Sequence, residues 1–158
     1  YGPQFYAKTK ILSEKILKEF PGLILRIRLP IDDRPNERNL IDKVKKYKKV
    51  LNVQNSMTAI PDMINALKIL MEKRKEGIYN LVNPGTISPF EIMKMYKKIV
   101  DNKHDFSELS VDELDNITLG KRSNCFLNTN KIKSEGIEMP EIHKAVESCL
   151  LKYKEALR

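Results

Sequence analysis

The chain of 158 residues is 41% hydrophobic and 32% charged, which excludes intrinsic disorder and fits roughly one domain with a sizeable core. No apolar run approaches the ~20 residues that span a bilayer, and the opening Tyr1-Gly2-Pro3 leads us to expect no secretory signal peptide. The net charge of +8 makes an anionic small molecule or a nucleic acid a partner class to consider.

The first part of the chain is predicted to alternate helices with strands. Apolar residues at helical spacing predict a helix over residues 5–20, which Pro21-Gly22 ends. A strand over 23–28, an amphipathic helix over 38–49 and a short strand over 50–53 follow. The apolar face of the second helix is predicted to comprise Leu40, Ile41, Val44 and Tyr47.

The remaining part is predicted to be mostly helical. A helix over 60–75 has Pro61 in its first turn and an apolar stripe along one face. That stripe comprises Ile60, Met63, Ile64, Leu67, Leu70 and Met71. A strand over 78–82 comes next.

The strongest local signal is a capping box of Ser88 and Glu91, with Pro89 at the first helical position. Ser110 and Glu113 have the spacing of a second cap. Helices over 128–134 and 141–157 complete a chain of α/β class, with parallel strands joined by crossover helices.

The cysteines and histidines do not indicate a metal site. Cys125 and Cys149 are too far apart for a C-x-x-C pair, and neither His104 nor His143 completes a ligand pattern with them. We therefore expect no metal and two reduced thiols, as is typical of a cytoplasmic protein.

A dense lysine run occupies residues 43–49. Its lysines recur three apart, which is typical of the solvated sides of a helix. Because basic residues are not interleaved with aromatic ones on a predicted sheet, nucleic-acid binding is not expected. No G-x-G-x-x-G or P-loop sequence occurs, so the chain has no recognisable phosphate cradle of its own.

Tyr6 and Lys10 lie four residues apart near the start of the first predicted helix. This spacing places a phenol and an ammonium on the same side, one turn apart. A fixed cation favours the phenolate form of a neighbouring phenol, and such a group can act as an acid/base catalyst. The same spacing also arises by chance in a lysine-rich chain, so the pair alone does not define a site.

Several stretches occur in the order that they have in one enzyme family. They are Phe5-Tyr6-Ala7-Lys8-Thr9-Lys10 with Glu14, Leu25-Arg26-Ile27-Arg28-Leu29-Pro30, Arg38-Asn39-Leu40-Ile41-Asp42-Lys43, Asn55-Ser56-Met57-Thr58, Asn83-Pro84-Gly85, Met95-Tyr96-Lys97-Lys98 and Arg122-Ser123-Asn124. Together they resemble the C-terminal part of an extended short-chain dehydrogenase/reductase. The closer resemblance is to the bifunctional nucleotide-sugar 3,5-epimerase/4-reductases that make nucleotide-linked L-rhamnose, relatives of dTDP-4-dehydrorhamnose reductase.

This resemblance implies that residues 1–158 form the C-terminal part of a Rossmann-like parallel sheet with a small helical substrate-binding domain. The family's glycine-rich cofactor loop, a Ser/Thr partner for the tyrosine and an epimerase cysteine would precede Tyr1. Neither Cys125 nor Cys149 matches that cysteine. We therefore expect the chain to be inactive alone, and an exposed sheet edge could drive homodimer formation.

The resemblance further implies NADPH as cofactor, with NADH as the alternative, and a UDP- or dTDP-linked 4-keto-6-deoxyhexose as substrate. Tyr6 would protonate the C4 oxygen as hydride arrives, while Lys10 would assist it and hold the nicotinamide ribose. Lys43 matches a lysine that acts as an acid/base in epimerisation. Without the resemblance, Lys43 would be interpreted as a solvated helix lysine.

The resemblance indicates further candidate site residues, each of which also has a purely structural interpretation. Pro30 and Ile31 stand where open α/β sheets bind ligands and are candidates to line the nicotinamide site; otherwise they are a strand-ending proline and a core isoleucine. Asn39 and Arg122 are candidates to bind the diphosphate of the sugar nucleotide, or else a helix-start residue and an exposed loop arginine. Residues 55–58 could shape the sugar pocket.

Two other functions remain open from the sequence. One is a 4-reductase without epimerase activity. The other is a noncatalytic binding module for an anionic partner, which the net charge of +8 allows.

Overall fold

The computed structural model describes residues 3–110, 113 and 124–158. The first elements in chain order are α1 (Pro3–Leu17), β1 (Leu23–Arg26), β2 (Pro30–Ile31), α2 (Leu40–Val44), β3 (Lys49–Leu51) and β4 (Thr58–Ala59). They are followed by α3 (Ile60–Glu72), β5 (Gly77–Asn80), α4 (Pro89–Ile99), β6 (Ser107–Leu109), α5 (Asn130–Ser134) and α6 (Ile142–Ala156). None of the described helices is long and apolar enough to cross a membrane.

The strands form parallel pairs, as the sequence predicts. β1 lies beside β5, in register from Leu23 opposite Gly77 to Arg26 opposite Asn80. β2 pairs with β4, and β3 with β6. The connection within each pair contains at least one helix, which is the crossover that parallel pairing requires. β2, β4 and β6 are absent from the sequence predictions. β2 and β4 have two residues each, which are too few to show an alternating pattern.

Two apolar clusters form the core of the described residues. The larger one brings α4 and α6 together with side chains from β2, α2, β3 and β4. The smaller one joins α3 and β5 to α5. The predicted stripe of α3 is only partly correct: Leu70 is fully buried, whereas Ile64 and Met71 lie on the exposed side of the helix.

The second predicted helix is much shorter than expected. α2 ends at Val44, and the next turn tightens through hydrogen bonds from Lys46 N to Lys43 O and from Tyr47 N to Val44 O. This tighter geometry takes Tyr47 off the apolar face, so its side chain is exposed instead of buried. The chain then enters β3 at Lys49.

Helix α1 presents its apolar residues to solvent. Five large apolar residues of α1, and Phe20 beyond its end, are 51–64% exposed. They are Phe5, Ile11, Leu12, Ile16, Leu17 and Phe20. A two-point ion pair between Glu14 on α1 and Arg26 at the end of β1 ties the helix to the sheet. The predicted helix is therefore present, but the described residues leave its apolar stripe uncovered.

Candidate active site

Tyr6 and Lys10 contact each other on α1. The Lys10 Nζ atom lies 5.5 Å from the centroid of the Tyr6 ring, within the range of a cation–π interaction. The hydroxyl of Thr9 donates to the Tyr6 carbonyl and that of Ser13 to the Thr9 carbonyl, so these neighbours satisfy the helix backbone rather than the phenol. The Tyr6 side chain is 68% exposed and accessible to a ligand. The arrangement places a proton-carrying group and a cation together on one surface.

The carboxyl ends of β1, β4 and β5 are joined by two polar side chains. The Thr58 hydroxyl accepts a hydrogen bond from Arg28 N at 3.1 Å and donates to Leu81 O at 2.8 Å. The Asn83 side chain accepts from Ala59 N at 2.8 Å. These bonds join the ends of the β1–β5 and β2–β4 pairs, and ligands bind at the carboxyl ends of the strands in open α/β folds.

Pro30 and Ile31 lie at this edge but differ in exposure. Pro30 is exposed, whereas Ile31 is fully buried in the larger core cluster. The preceding Leu29 has φ of 40°, a left-handed conformation that is uncommon for a leucine. Such backbone strain typically costs about 1–3 kcal/mol and often accompanies functional sites. Because Ile31 is buried, Pro30 is the residue of the two whose surface is open to a ligand.

Arg28 is a candidate site residue that the sequence analysis did not single out. Its guanidinium Nη2 donates to the Asn55 side-chain oxygen at 3.0 Å, in a partly buried position beyond the end of β1. The same oxygen accepts from Cys125 N, and Ser56 N donates to Cys125 O. Residues 55–56 thus hold both the arginine and the chain near Cys125. The signal in the sequence was a charged residue at the end of a predicted strand.

Asn39 forms the N-cap of α2. Its side-chain oxygen accepts from Ile41 N and Asp32 N, and its amide nitrogen donates to the carbonyls of Asp32 and Arg34. With both amide hydrogens engaged and only 4% of the residue exposed, Asn39 organises the loop before α2. Direct contact with a sugar nucleotide stays a prediction.

Lys43 lies on the exposed side of α2, between the buried Asp42 and Val44. Within residues 3–110, 113 and 124–158, no hydrogen bond, ion pair or ring contact links α2 to the Tyr6–Lys10 pair. The structure therefore brings Tyr6 and Lys10 together and places Lys43 on a separate element. Arg122 lies outside the described residues.

Next to Lys43, the sequence analysis missed a polar cluster that joins the buried Asp42 and Tyr153 to the partly buried Lys45. The spacing of Asp42 and Lys45 suits an ion pair on one helix face. Their bond to Tyr153 crosses more than a hundred residues of chain and has no sequence signal.

Comparison with known proteins identifies relatives of two kinds. No protein-family model matches the chain. It is 38% identical over 152 residues to a trifunctional UDP-glucose 4,6-dehydratase/UDP-4-keto-6-deoxy-D-glucose 3,5-epimerase/UDP-4-keto-L-rhamnose-reductase of Arabidopsis thaliana, covering 94% of this chain and 22% of that protein. It is also 38% identical to a bifunctional dTDP-4-dehydrorhamnose 3,5-epimerase/dTDP-4-dehydrorhamnose reductase of the same plant, covering 90% of this chain and 48% of that protein. The chain thus spans about half or less of the length of these relatives.

Solved structures share the fold. The UDP-rhamnose synthase L780 of Acanthamoeba polyphaga mimivirus superposes with a TM-score of 0.75 at 30% identity, over 82% of this chain and 45% of that one. The dTDP-4-dehydrorhamnose reductase of Bacillus anthracis, solved with NADP, gives 0.75 at 20% identity, over 93% of this chain and 55% of that one. These likenesses confirm the predicted Rossmann-like α/β fold.

Proposed function

We propose that this chain, which belongs to the extended short-chain dehydrogenase/reductase family, is the substrate-binding part of a nucleotide-rhamnose synthase. The complete enzyme would carry out 3,5-epimerisation and NADPH-dependent 4-reduction of a UDP- or dTDP-linked 4-keto-6-deoxyhexose. The observation that carries the proposal is the contact between Tyr6 and Lys10 on the accessible surface of α1. It supports the acid/base pair that reduction of a ketone requires.

In the reduction, Tyr6 would donate its proton to the C4 oxygen of the sugar. The Lys10 ammonium, held against the phenol ring, would stabilise the phenolate that remains. The exposed phenol is free to reach a substrate, because Thr9 and Ser13 direct their hydroxyls to the helix backbone. These two side chains therefore supply the proton and its electrostatic support.

The side chains of α1 fit one end of a nicotinamide nucleotide. An ammonium and a phenol hydroxyl on one surface can hydrogen-bond the ribose next to the nicotinamide. The sequence offers no glycine-rich loop for the diphosphate end. When bound, NADPH would supply the hydride that reduces C4. Pro30 and Arg28, at the sheet edge, would orient the reactants.

In the epimerisation, Lys43 would protonate the substrate at C3 and C5. Abstraction of a proton beside the C4 ketone leaves an enolate, and protonation of that carbon on the opposite face inverts it. The abstracting base would belong to the part of the enzyme outside this chain. The exposed position of Lys43 leaves its ammonium accessible for this role.

We further propose that α1 packs against a cofactor-binding unit of the same enzyme. The curated relatives have at least half of their length outside the matched region, which gives room for such a unit. The exposed apolar residues of α1 would provide the buried surface of that contact. The isolated chain should then neither bind NADPH tightly nor reduce the substrate.

The proposal is tested in the complete protein with UDP-4-keto-6-deoxyglucose and NADPH. Replacing Tyr6 by Phe should lower the rate of NADPH oxidation by about 10²–10⁴-fold, because it removes the proton donor without removing the ring. Ordinary turnover by the Y6F enzyme would exclude Tyr6 from this role. Steep salt-dependent binding to nucleic acid, without affinity for UDP-sugars, would instead favour the noncatalytic module.

The same assay separates the full enzyme from a simple 4-reductase. Inversion at C3 and C5 requires a proton delivered to the face opposite the abstracting base. A Lys43→Ala enzyme should therefore lose inversion at C3 and C5 while still reducing a substrate that is already epimerised. Unchanged inversion would reject the epimerase role of Lys43 and leave the reductase alone.

A further inference from the structure

A buried carboxylate connects α2 to α6. One oxygen of Asp42 accepts a hydrogen bond from the Tyr153 hydroxyl at 2.7 Å and forms an ion pair with Lys45 Nζ at 2.6 Å. Lys45 Nζ in turn donates to the Tyr153 hydroxyl at 2.9 Å. Asp42 is 7% exposed and Tyr153 is fully buried. We call Asp42, Lys45 and Tyr153 the α2 cluster.

The α2 cluster also reaches the loop that precedes the helix. The second oxygen of Asp42 accepts from Asn36 N at 3.0 Å. The side chain of Asn39 holds the same loop at Asp32 and Arg34. The loop, the helix and α6 are therefore fixed to one another by side chains on both sides of Lys43.

The protonation states of the α2 cluster are consistent with a fixed ion pair. Burial alone would raise the pKa of Asp42, but hydrogen bonds from Lys45, Asn36 N and Tyr153 bring it below its ordinary value. Burial would lower the pKa of Lys45, whereas its bonds to Asp42 and Tyr153 raise it. Burial raises the pKa of Tyr153 to about 12, so the hydroxyl keeps its proton.

Stability alone does not require such a group of residues. Buried ion pairs gain little over well-packed apolar residues of the same volume, because removing both charges from water offsets their attraction. Their directed hydrogen bonds nevertheless fix one geometry. α2 has only five residues and cannot hold its own orientation by length. Its orientation decides where the ammonium of Lys43 points.

We propose that Asp42, Lys45 and Tyr153 are positioning residues that fix the direction in which α2 presents Lys43 to the sugar. This inference rests on the proposed function, since it concerns the epimerisation assigned to Lys43. The α2 cluster does not contact the Tyr6–Lys10 pair within the described residues, so it acts on the epimerisation and not on the reduction.

The test compares Tyr153→Phe with Tyr96→Phe in the complete protein. Both changes remove one hydroxyl from a buried pair of rings whose centroids are 6.2 Å apart, but only Tyr153 donates to Asp42. Y153F should lower kcat for inversion at C3 and C5 about tenfold or more, because small misplacements of a catalytic group are costly. KM and the reduction of already epimerised substrate should stay unchanged. Y96F should leave all of these values unchanged.

Amide hydrogen exchange gives a readout that is independent of activity. Y153F should accelerate exchange in residues 36–45 and leave α3 protected, whereas Y96F should not change residues 36–45. Lys45 offers a second variant if Y153F does not fold, because its side chain is 29% exposed. Lys45→Met should reproduce the loss of epimerisation, and Lys45→Arg, which keeps the cation, should restore most of it.

The outcomes distinguish the two proposals. Normal epimerisation by Y153F and K45M would overturn the positioning role, whether or not amide exchange increases. Equal losses in epimerisation and in reduction would also overturn it. If Lys43→Ala itself epimerises normally, the proposed function of Lys43 fails and the role of the α2 cluster fails with it.

Discussion

Arg26 forms a two-point ion pair with Glu14, in which Nε lies 2.7 Å from Oε2 and Nη2 lies 2.6 Å from Oε1. The pair connects the helix that carries Tyr6 and Lys10 to the end of β1. Parallel, two-point contacts of this kind fix orientation as well as distance. The Glu14 carboxylate therefore helps to fix the position of the proposed acid/base pair relative to the sheet.

Glu14→Gln should loosen α1 and make this contact insensitive to acid. The hydrogen bond from Arg26 lowers the pKa of Glu14, so the contribution of the pair is complete above the ordinary glutamate pKa and is lost as pH falls through the lowered value. The pair is partly exposed, so its contribution is at most ~1 kcal/mol. Amide exchange in α1 as a function of pH measures the effect.

Glu19→Gln is the matched control for this prediction. Glu19 is exposed beyond the end of α1 and forms no ion pair within the described residues. Its replacement should leave the exchange of α1 unchanged. Equal effects of the two variants would show that the Arg26 contact does not hold the helix.

Lys10→Met should reduce hydride transfer in the complete protein, whereas Lys8→Met should not. Both lysines are exposed on α1, but only Lys10 places its ammonium over the Tyr6 ring. Loss of that charge should lower the rate of NADPH oxidation by roughly 10²-fold, through weaker support of the phenolate. Similar rates for the two variants would contradict the assignment of Lys10.

Local signals account for the parts of the fold that the sequence predicts correctly. Ser88 and Glu91 make the reciprocal bonds of the predicted capping box, at 3.1 and 2.7 Å. Ser110 and Glu113 make the same pair of bonds. Both motifs consist of residues three apart, so their partners are already visible in the sequence.

Contacts between distant residues explain what the sequence could not show. The side chain of Asp42 is buried by Tyr153, more than a hundred residues away, and a carboxylate in a lysine-rich stretch resembles a surface residue. The sequence also could not show that Ile11 and Leu12 are exposed. Helical periodicity predicts an apolar face, but it does not identify what covers that face. For the site, the contact between Tyr6 and Lys10 could be predicted from their spacing in the sequence. The position of Lys43 on a separate element depends on the tertiary fold and could not.

Thr58→Val should destabilise the sheet edge more than Thr58→Ser. The valine keeps the volume but removes the hydroxyl that links Arg28 N to Leu81 O. Since the buried Leu81 carbonyl and the partly buried Arg28 amide lose a shared partner, we expect a loss of about 1–3 kcal/mol in the free energy of unfolding. Chemical denaturation of the three proteins measures it. A serine variant as unstable as the valine variant would point to packing rather than to the hydroxyl.

Leu70→Ala should be far more destabilising than Ile64→Ala on the same helix. Leu70 is fully buried in the smaller core cluster against Ala66, Tyr79 and Leu81, so its truncation leaves a cavity between α3 and β5. Such cavities cost about 2–5 kcal/mol. Ile64 is 54% exposed, and its truncation should change the free energy of unfolding by roughly 0.5 kcal/mol or less. Denaturant unfolding measures both free energies. If the two variants have equal m-values, the difference in stability arises in the native state. Comparable losses at the two positions would mean that the exposed side of α3 is covered in the protein, in the same way as we propose for α1.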